Sequence, residues 1–335
     1  MSPYLRRRLI TEAEVIAAAI DAHGHRMAER FVEEVVWRSY FKGHLETRPA
    51  IWTDYKRQAF NAHEAMVGNA GLRRAYVEAV EGRTGIDGFD DWAHDLVEQG
   101  WLHNHARMWF ASIWIFTLRL PWALGADFFM SHLLDGDPAS NTLSWRWVAG
   151  LHTRGKAYVA RAENIARYTE GRFRPAGLNE NVQALTEQEV APLIELAPAD
   201  TAPAGEIALL LHLDDLNPES LVLGSARVAK VAAVTAHAEG ASEQVRAADQ
   251  EAMLDALARA GAHFGCKTGA AEPGWEEGLP ALTAWAPVGP SADVLPPCIR
   301  VRRDWDELTW PKSTRGYFQL RSAIPDLLKA TTLSE

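Results

Sequence analysis

The sequence predicts two dissimilar domains, an all-helical one followed by a small parallel α/β one. Three observations carry this reading. Residues 1–175 space their apolar side chains in the helical period, behind recognisable helix-start signals. The composition changes after Arg174-Pro175, and residues 197–206, rich in Pro and Ala, read as a linker. Beyond it, short apolar runs alternate with helical segments. The expected divisions are a helical domain over 1–175, a linker with a short helix over 176–205, and an α/β domain over 206–335.

In order, Thr11 followed by Glu14 is a capping-box pattern that opens an amphipathic helix through about residue 22. The preceding run Arg6-Arg7-Arg8 reads as a solvated face. A second helix spans roughly 29–45 and puts Phe31, Glu34, Trp37 and Arg38 on one side. A carboxylate between aromatics is costly to bury unless it is paired or functional, and a pair with Arg38 is the bland alternative. Residues 46–83 read as a loop and one or two surface helices, with Trp52 as packing. Thr84-Gly85 then leads to Phe89-Asp90 and a helix over 91–98.

Residues 101–147 hold the densest chemistry. Asn104, Arg107 and Met108 share one helix face. A helix starting at Trp122, the turn Asp135-Gly136-Asp137, Asn141, and the pair Trp145 and Trp147 follow. This combination describes a pocket for something large, flat and polar, with Asp135 the partner for Arg107. A calcium loop is excluded, because position 139 is Ala and position 146 is Arg where oxygen ligands are required. Helix-capping aspartates are the plain alternative.

In the α/β half, the candidate strands are residues 207–212, 228–235, 261–265, 281–286 and 298–301. The longest helix covers 242–260 with Gly261 as its stop, and 317–328 is a weaker helix interrupted by Pro325. His212, Asp214 and Asp215 cluster at a strand end and read as capping residues. There is no Gly-x-Gly-x-x-Gly and no Walker loop.

Composition sets the outer bounds. At 47% hydrophobic and 23% charged over 335 residues, this is an ordinary globular chain. The longest apolar stretch, residues 109–118, is too short for a membrane span. Cys266 and Cys298 have no metal-site spacing, and a reduced, cytoplasmic setting is the simple reading. The net charge of −10 divides into +1 over residues 1–175 and −11 over the rest, and an acidic chain argues softly against broad nucleic-acid affinity. Nine of the 13 tryptophans precede residue 150, more than packing requires, and suggest stacking surfaces or an electron path.

Several pieces together resemble the flavin-binding core of the DNA photolyase and cryptochrome family. They are Thr84-Gly85, Gly100-Trp101-Leu102-His103-Asn104, Ala106-Arg107-Met108, Asp135-Gly136-Asp137, Asn141 and Trp145-Arg146-Trp147, in the family's order and near its spacing. The resemblance covers roughly residues 2–175. It implies a photolyase-type helical domain with FAD as cofactor. The implied activity is light-driven electron transfer from reduced FAD to a cyclobutane pyrimidine dimer in UV-damaged DNA, single-stranded or duplex. By the same resemblance, Glu34, Trp37, Asn104, Met108 and Trp147 would hold the lesion. Ser2, Phe31, Arg38, Arg107, Asp135, Gly136, Asp137 and Asn141 would hold the flavin. Trp145 and Trp122 match the inner and middle members of the family's tryptophan chain, and Trp52 and Trp114 are candidates for the third. Arg146, Arg154, Lys156, Arg161 and Arg167 would supply charge around the mouth.

The departures from the family pattern are specific. Ser2-Pro3-Tyr4-Leu5 matches only the end of the family's phosphate cradle, which leaves the three arginines as alternative holders of the diphosphate. His105 replaces an Arg that usually meets a DNA phosphate. The family's α/β antenna domain precedes the helical domain instead of following it, and no motif here specifies an antenna pigment. The competing reading is a cryptochrome-like light sensor or flavin-binding module without repair activity.

Overall fold

The computed structural model describes residues 1–187 and 189–332, with 330–332 as backbone alone. It divides into two compact units. The first joins Met1–Pro49, Pro192–Ala238 and the chain from Arg246 onward; the second is Ala50–Ala191 with Glu239–Val245. The first 49 residues therefore belong with the α/β part, whereas the sequence places them in the helical domain. Among the described residues of 176–205 there is no helix, in place of the short one expected.

The first unit is built on a five-stranded parallel sheet in the order β3-β2-β1-β4-β5. Its strands are β1 (Gly205–Leu211), β2 (Ala226–Ala233), β3 (Lys267–Ala270), β4 (Ala281–Ala284) and β5 (Ile299–Val301). Central β1 buries five successive apolar residues, as a strand covered on both faces must. Four strands lie close to their expected positions. The fifth does not: residues 261–264 continue the helix Glu243–Phe264, and the strand starts at Lys267. Gly261 is not the stop. A Cβ there would lie 3.1 Å from Thr268 Cγ2, so this glycine lets the helix approach β3 closely. Gly265, at φ 65°, takes the left-handed conformation just past the helix end.

Two apolar clusters complete this unit. One packs Ile207, Leu209, Leu211, Val231, Met253 and Leu282 around the sheet. The other packs Val32, Val35, Val36 and Tyr40 against Trp305, Tyr317 and Leu320. The helix Glu12–Glu46 opens with both hydrogen bonds of the Thr11/Glu14 capping box, and it breaks at Gly24 (φ 73°, ψ 155°) between the two predicted helices. Pro325 splits the last segment into Tyr317–Ser322 and Ile324–Thr332. It sits in the first turn of the second helix, where no intrahelical donor is needed.

Arg6, Arg7 and Arg8 are buried, which overturns the solvated-face reading. Arg6 pairs with Asp214 at 2.5 Å, Arg7 with Asp249, and Arg8 with Asp306 at 2.5 Å and Glu12 at 3.2 Å. Asp215 receives two hydrogen bonds from Arg303, at 2.6 and 2.7 Å. Asp214 and Asp215 are thus counter-ions to buried guanidiniums, and not helix caps. His212 fixes the corner by a 2.9 Å contact with the Ala284 carbonyl. Burial disfavours ionising Asp215, yet Arg303 and Arg8 outweigh it and hold the carboxyl down at about 2. Open α/β sheets take ligands outside the carboxyl ends of strands where the order reverses. Here the residues just after β1 are engaged by the chain's own arginines.

The second unit is helical. Its main helices are Ala50–Gly68, Ala70–Val80, Phe89–Gln99, Asn104–Ser112, Trp122–His132 and Pro138–Val148, with a π-turn at Ile113–Thr117. Gly100, at φ 65°, ends the third of these and turns the chain into the central stretch. The tryptophans are mostly core: Trp52, Trp92, Trp109, Trp114, Trp122 and Trp145 are all buried. Packing therefore accounts for most of the aromatic excess. No helix among the described residues is long and apolar enough to cross a membrane.

Candidate functional site

In the second unit, the central stretch is organised by one ion pair. Arg107, a turn into the Asn104–Ser112 helix, donates from Nε to the Leu102 carbonyl at 2.9 Å and from a terminal nitrogen to Asp135 Oδ2 at 2.9 Å. Asp135 is buried, whereas the Arg107 side chain keeps about a quarter of its surface (24%). A guanidinium held at the edge of solvent by a buried carboxylate presents fixed positive charge and donors. This is the pair the sequence suggests.

The rest of the turn seats the next helix. Asp137 accepts from the Ser140 amide at 2.7 Å and caps Pro138–Val148, so the capping role holds for this aspartate. Gly136 closes the turn tightly: a Cβ there would stand 3.0 Å from the Leu133 carbonyl. Asn141 is buried and donates its amide to the Ala126 carbonyl at 2.8 Å. The hydroxyls of Ser140 and Thr142 are buried with no hydrogen-bond partner. Upstream, Asp90 gathers Thr84 N, Thr84 Oγ1 and Gly85 N at 3.0, 2.7 and 2.8 Å, which shapes the Thr84-Gly85 loop.

Trp145 lies edge-on to Trp114 at 6.2 Å and to Phe129 at 5.1 Å. Gly125 makes room for it, since a Cβ there would fall 2.3 Å from Trp145 Cη2. Trp122 donates to Gln58 at 2.9 Å and neighbours Tyr55 at 5.8 Å, which in turn neighbours Trp52 at 5.2 Å. Both candidates for a third tryptophan are thus joined to the predicted pair by ring contacts. Trp147 is half-buried and stacks on Tyr158. Trp122, Gln58 and residues 183–187 line an open cavity of about 420 Å³.

Arg146 does not supply free charge. It is buried and its fork is engaged by Glu187 through both terminal nitrogens. Arg154, Lys156, Arg161 and Arg167 are exposed. Tyr168 has no sequence motif to mark it, and His103 enters only within the motif at residues 100–104: His103 caps its helix by accepting from His105 N, and both rings are exposed. The His-x-His spacing at a helix start was the available signal.

Asn104 is exposed and Met108 half-buried on the helix that carries Arg107, and the other candidates belong to the first unit. Ser2 opens the short helix Ser2–Arg6. Glu34 is exposed, and Phe31 and Arg38 are half-buried. Trp37 stacks on Tyr317, with 3.5 Å between ring centroids. Arg6, Arg7 and Arg8 are committed to carboxylates, which removes them as holders of a diphosphate.

The donor set of the second unit suits a flat, polar, anionic group such as a flavin. It offers an Arg–Asp pair at a solvent edge, and two buried hydroxyls without partners five and seven residues after Asp135. Comparison with known proteins agrees. The family described as the FAD binding domain of DNA photolyase matches residues 31–175. The deoxyribodipyrimidine photo-lyase of Streptomyces griseus is 36% identical over 178 residues, 49% of this chain and 37% of that protein. Its counterpart in Escherichia coli is 33% identical over 138 residues, 38% of this chain and 26% of that protein. A bacterial class III photolyase crystal structure from Agrobacterium tumefaciens aligns at TM-score 0.42 and 27% identity, over 51% of this chain and 36% of that one. The chain spans about a third of the length of the curated relatives it matches.

Proposed function

We propose that this chain, whose residues 31–175 match the FAD binding domain of DNA photolyase, is a flavin-dependent, light-driven DNA repair enzyme of the photolyase/cryptochrome family. The proposed reaction splits a cyclobutane pyrimidine dimer by electron transfer from the reduced cofactor, with no net redox change. The Arg107–Asp135 pair carries this reading. When bound, FAD supplies the light absorption and the transferable electron.

Each role then falls to residues of this chain. Arg107 offers fixed positive charge, which favours an anionic reduced ring. Asp135, Gly136 and Asp137 form the turn that seats it, and Asn141 adds an amide held in place by Ala126. Ser2, Phe31 and Arg38 are assigned to the cofactor by resemblance. Glu34, Trp37, Asn104, Met108 and Trp147 are assigned to the flipped-out lesion, where flat apolar faces and a hydrogen-bonding carboxylate are the expected chemistry. Trp145 and Trp122 are assigned to electron delivery.

The first test is spectroscopic. The purified protein should show flavin bands that bleach under blue light with a reductant, and it should repair a dimer-containing oligonucleotide. Glu34→Gln should then lower repair by about 10- to 100-fold, the loss of one hydrogen bond to a charged group, while photoreduction survives. A colourless protein that takes up no added FAD would sink the enzyme. The second reading, a light sensor without repair, is favoured by one contact: Tyr317 occupies a face of Trp37. Equal repair by Glu34→Gln, or photoreduction with no repair, would select it.

A further inference from the structure

On the second unit, four flat rings stand close together. His103 and His105 are parallel, 5.5 Å between centroids and 5° between planes. Tyr168 continues the stack from His105 at 4.7 Å and 18°. Trp101 meets His103 edge-on at 6.4 Å. Trp101 is 45% exposed and Tyr168 is 54% exposed, so both leave large ring surface in water. Core packing does not explain rings placed this way.

The ladder is rigidly mounted. His105 leans on buried Trp109 at 5.5 Å, and the Trp109 indole donates to Asn164 at 3.0 Å. That bond ties the Asn104–Ser112 helix to the Ala162–Tyr168 helix, one carrying His105 and the other Tyr168. The Arg167 guanidinium lies 5.5 Å from the Tyr168 ring. The surrounding run 152–174 carries six Lys and Arg against two Glu, in a chain whose net charge is −10. Local positive charge on an acidic protein, interleaved with exposed rings, is complementary to a phosphate backbone bearing stackable bases.

We propose that Trp101, His103, His105 and Tyr168, flanked by Arg167, form a stacking platform for unpaired DNA bases. This makes the protein selective for single-stranded over duplex DNA. The inference rests on the repair reading only for DNA as the substrate class. Base faces are available to such a ladder only when the strand is unpaired; in a duplex they are covered by neighbouring base pairs. Asn104 is exposed on the same helix, beside the rings.

The test uses the full chain in the dark with undamaged DNA, so that neither flavin nor lesion is required. A labelled oligothymidine of about fifteen nucleotides is titrated against a duplex of equal length, by anisotropy and by tryptophan fluorescence. The expected result is tighter binding of the single strand, with quenching of the exposed Trp101. His103→Ala combined with Tyr168→Ala should weaken single-strand binding about tenfold and leave duplex binding unchanged, while Tyr168→Phe retains it. Duplex preference in the unaltered protein would overturn the platform, as would equal losses for both DNA forms, no loss in the double variant, or tighter binding of the matching oligoribonucleotide. Repair is measured in parallel. Repair in duplex DNA with an indifferent double variant would remove the platform and keep the enzyme. Single-strand binding that depends on the rings, in a protein that neither binds flavin nor repairs, would keep the platform and remove the enzyme.

Discussion

The ring of Tyr317 lies flat against that of Trp37, with 3.5 Å between centroids and 11° between planes. The Tyr317 hydroxyl also donates to the Glu33 carbonyl at 3.2 Å. One residue near the end of the chain is therefore bonded to the helix that carries Glu34. Tyr317→Ala should cost about 3 kcal/mol, the usual range for deleting a buried aromatic. Denaturant unfolding would show it as a lower midpoint at constant slope, and an unchanged midpoint would mean the stack contributes little.

Acid should weaken the first unit through its buried carboxylates. Asp215 is held at about 2 in the folded state, against an ordinary value of 3.8, and Glu12 and Asp214 are also lowered. A depressed folded value means stability that is complete above the unfolded value and lost as pH falls through the folded one. Stability should therefore drop between about pH 4 and pH 2, by about 2 kcal/mol for Asp215 alone. Circular dichroism against pH would reveal this, and a flat profile across that window would contradict it.

Glu46 should act in the opposite direction. Burial pushes its carboxyl from 4.5 to about 7, against hydrogen bonds from Val288 N–H at 2.6 Å and the Trp285 indole at 3.1 Å. A raised folded value contributes stability that is full below the unfolded value and lost as pH rises through the folded one. Stability should thus fall by about 3 kcal/mol between pH 4.5 and 7. Glu46→Gln should flatten this segment of the profile, and a variant with the same slope as the parent would assign the titration elsewhere.

Gly125 should be intolerant of a methyl group. The helix it occupies would gain about 1 kcal/mol from alanine, but the added Cβ would fall 2.3 Å from Trp145 Cη2 and 2.9 Å from Trp114 Nε1. Overpacking of this kind costs about 1–3 kcal/mol, so the net effect of Gly125→Ala should be destabilising, with a changed near-ultraviolet spectrum as Trp145 moves. A stabilised variant with an unaltered spectrum would show that the ring can yield.

Sequence by itself determined the local elements and the chemistry of the central turn. The Thr11/Glu14 capping box, the Asp137 cap and the Arg107–Asp135 pair involve residues close along the chain or joined by short helices, where spacing dictates which side chains meet. The strand assignments succeeded for the same reason, except where Gly261 reads as the helix stop and the chain ends the helix at Gly265 instead. Their difference lies in φ and in the approach of Thr268, neither of which is written in one dimension. Only the tertiary structure decided the distant partners of Arg6, Arg7 and Arg8, which lie more than 200 positions away in Asp214, Asp249 and Asp306. It likewise placed residues 1–49 with the α/β sheet and brought Tyr168 to His105. A charge run looks alike whether solvated or buried, because its desolvation is offset only by counter-ions that folding delivers from elsewhere in the chain.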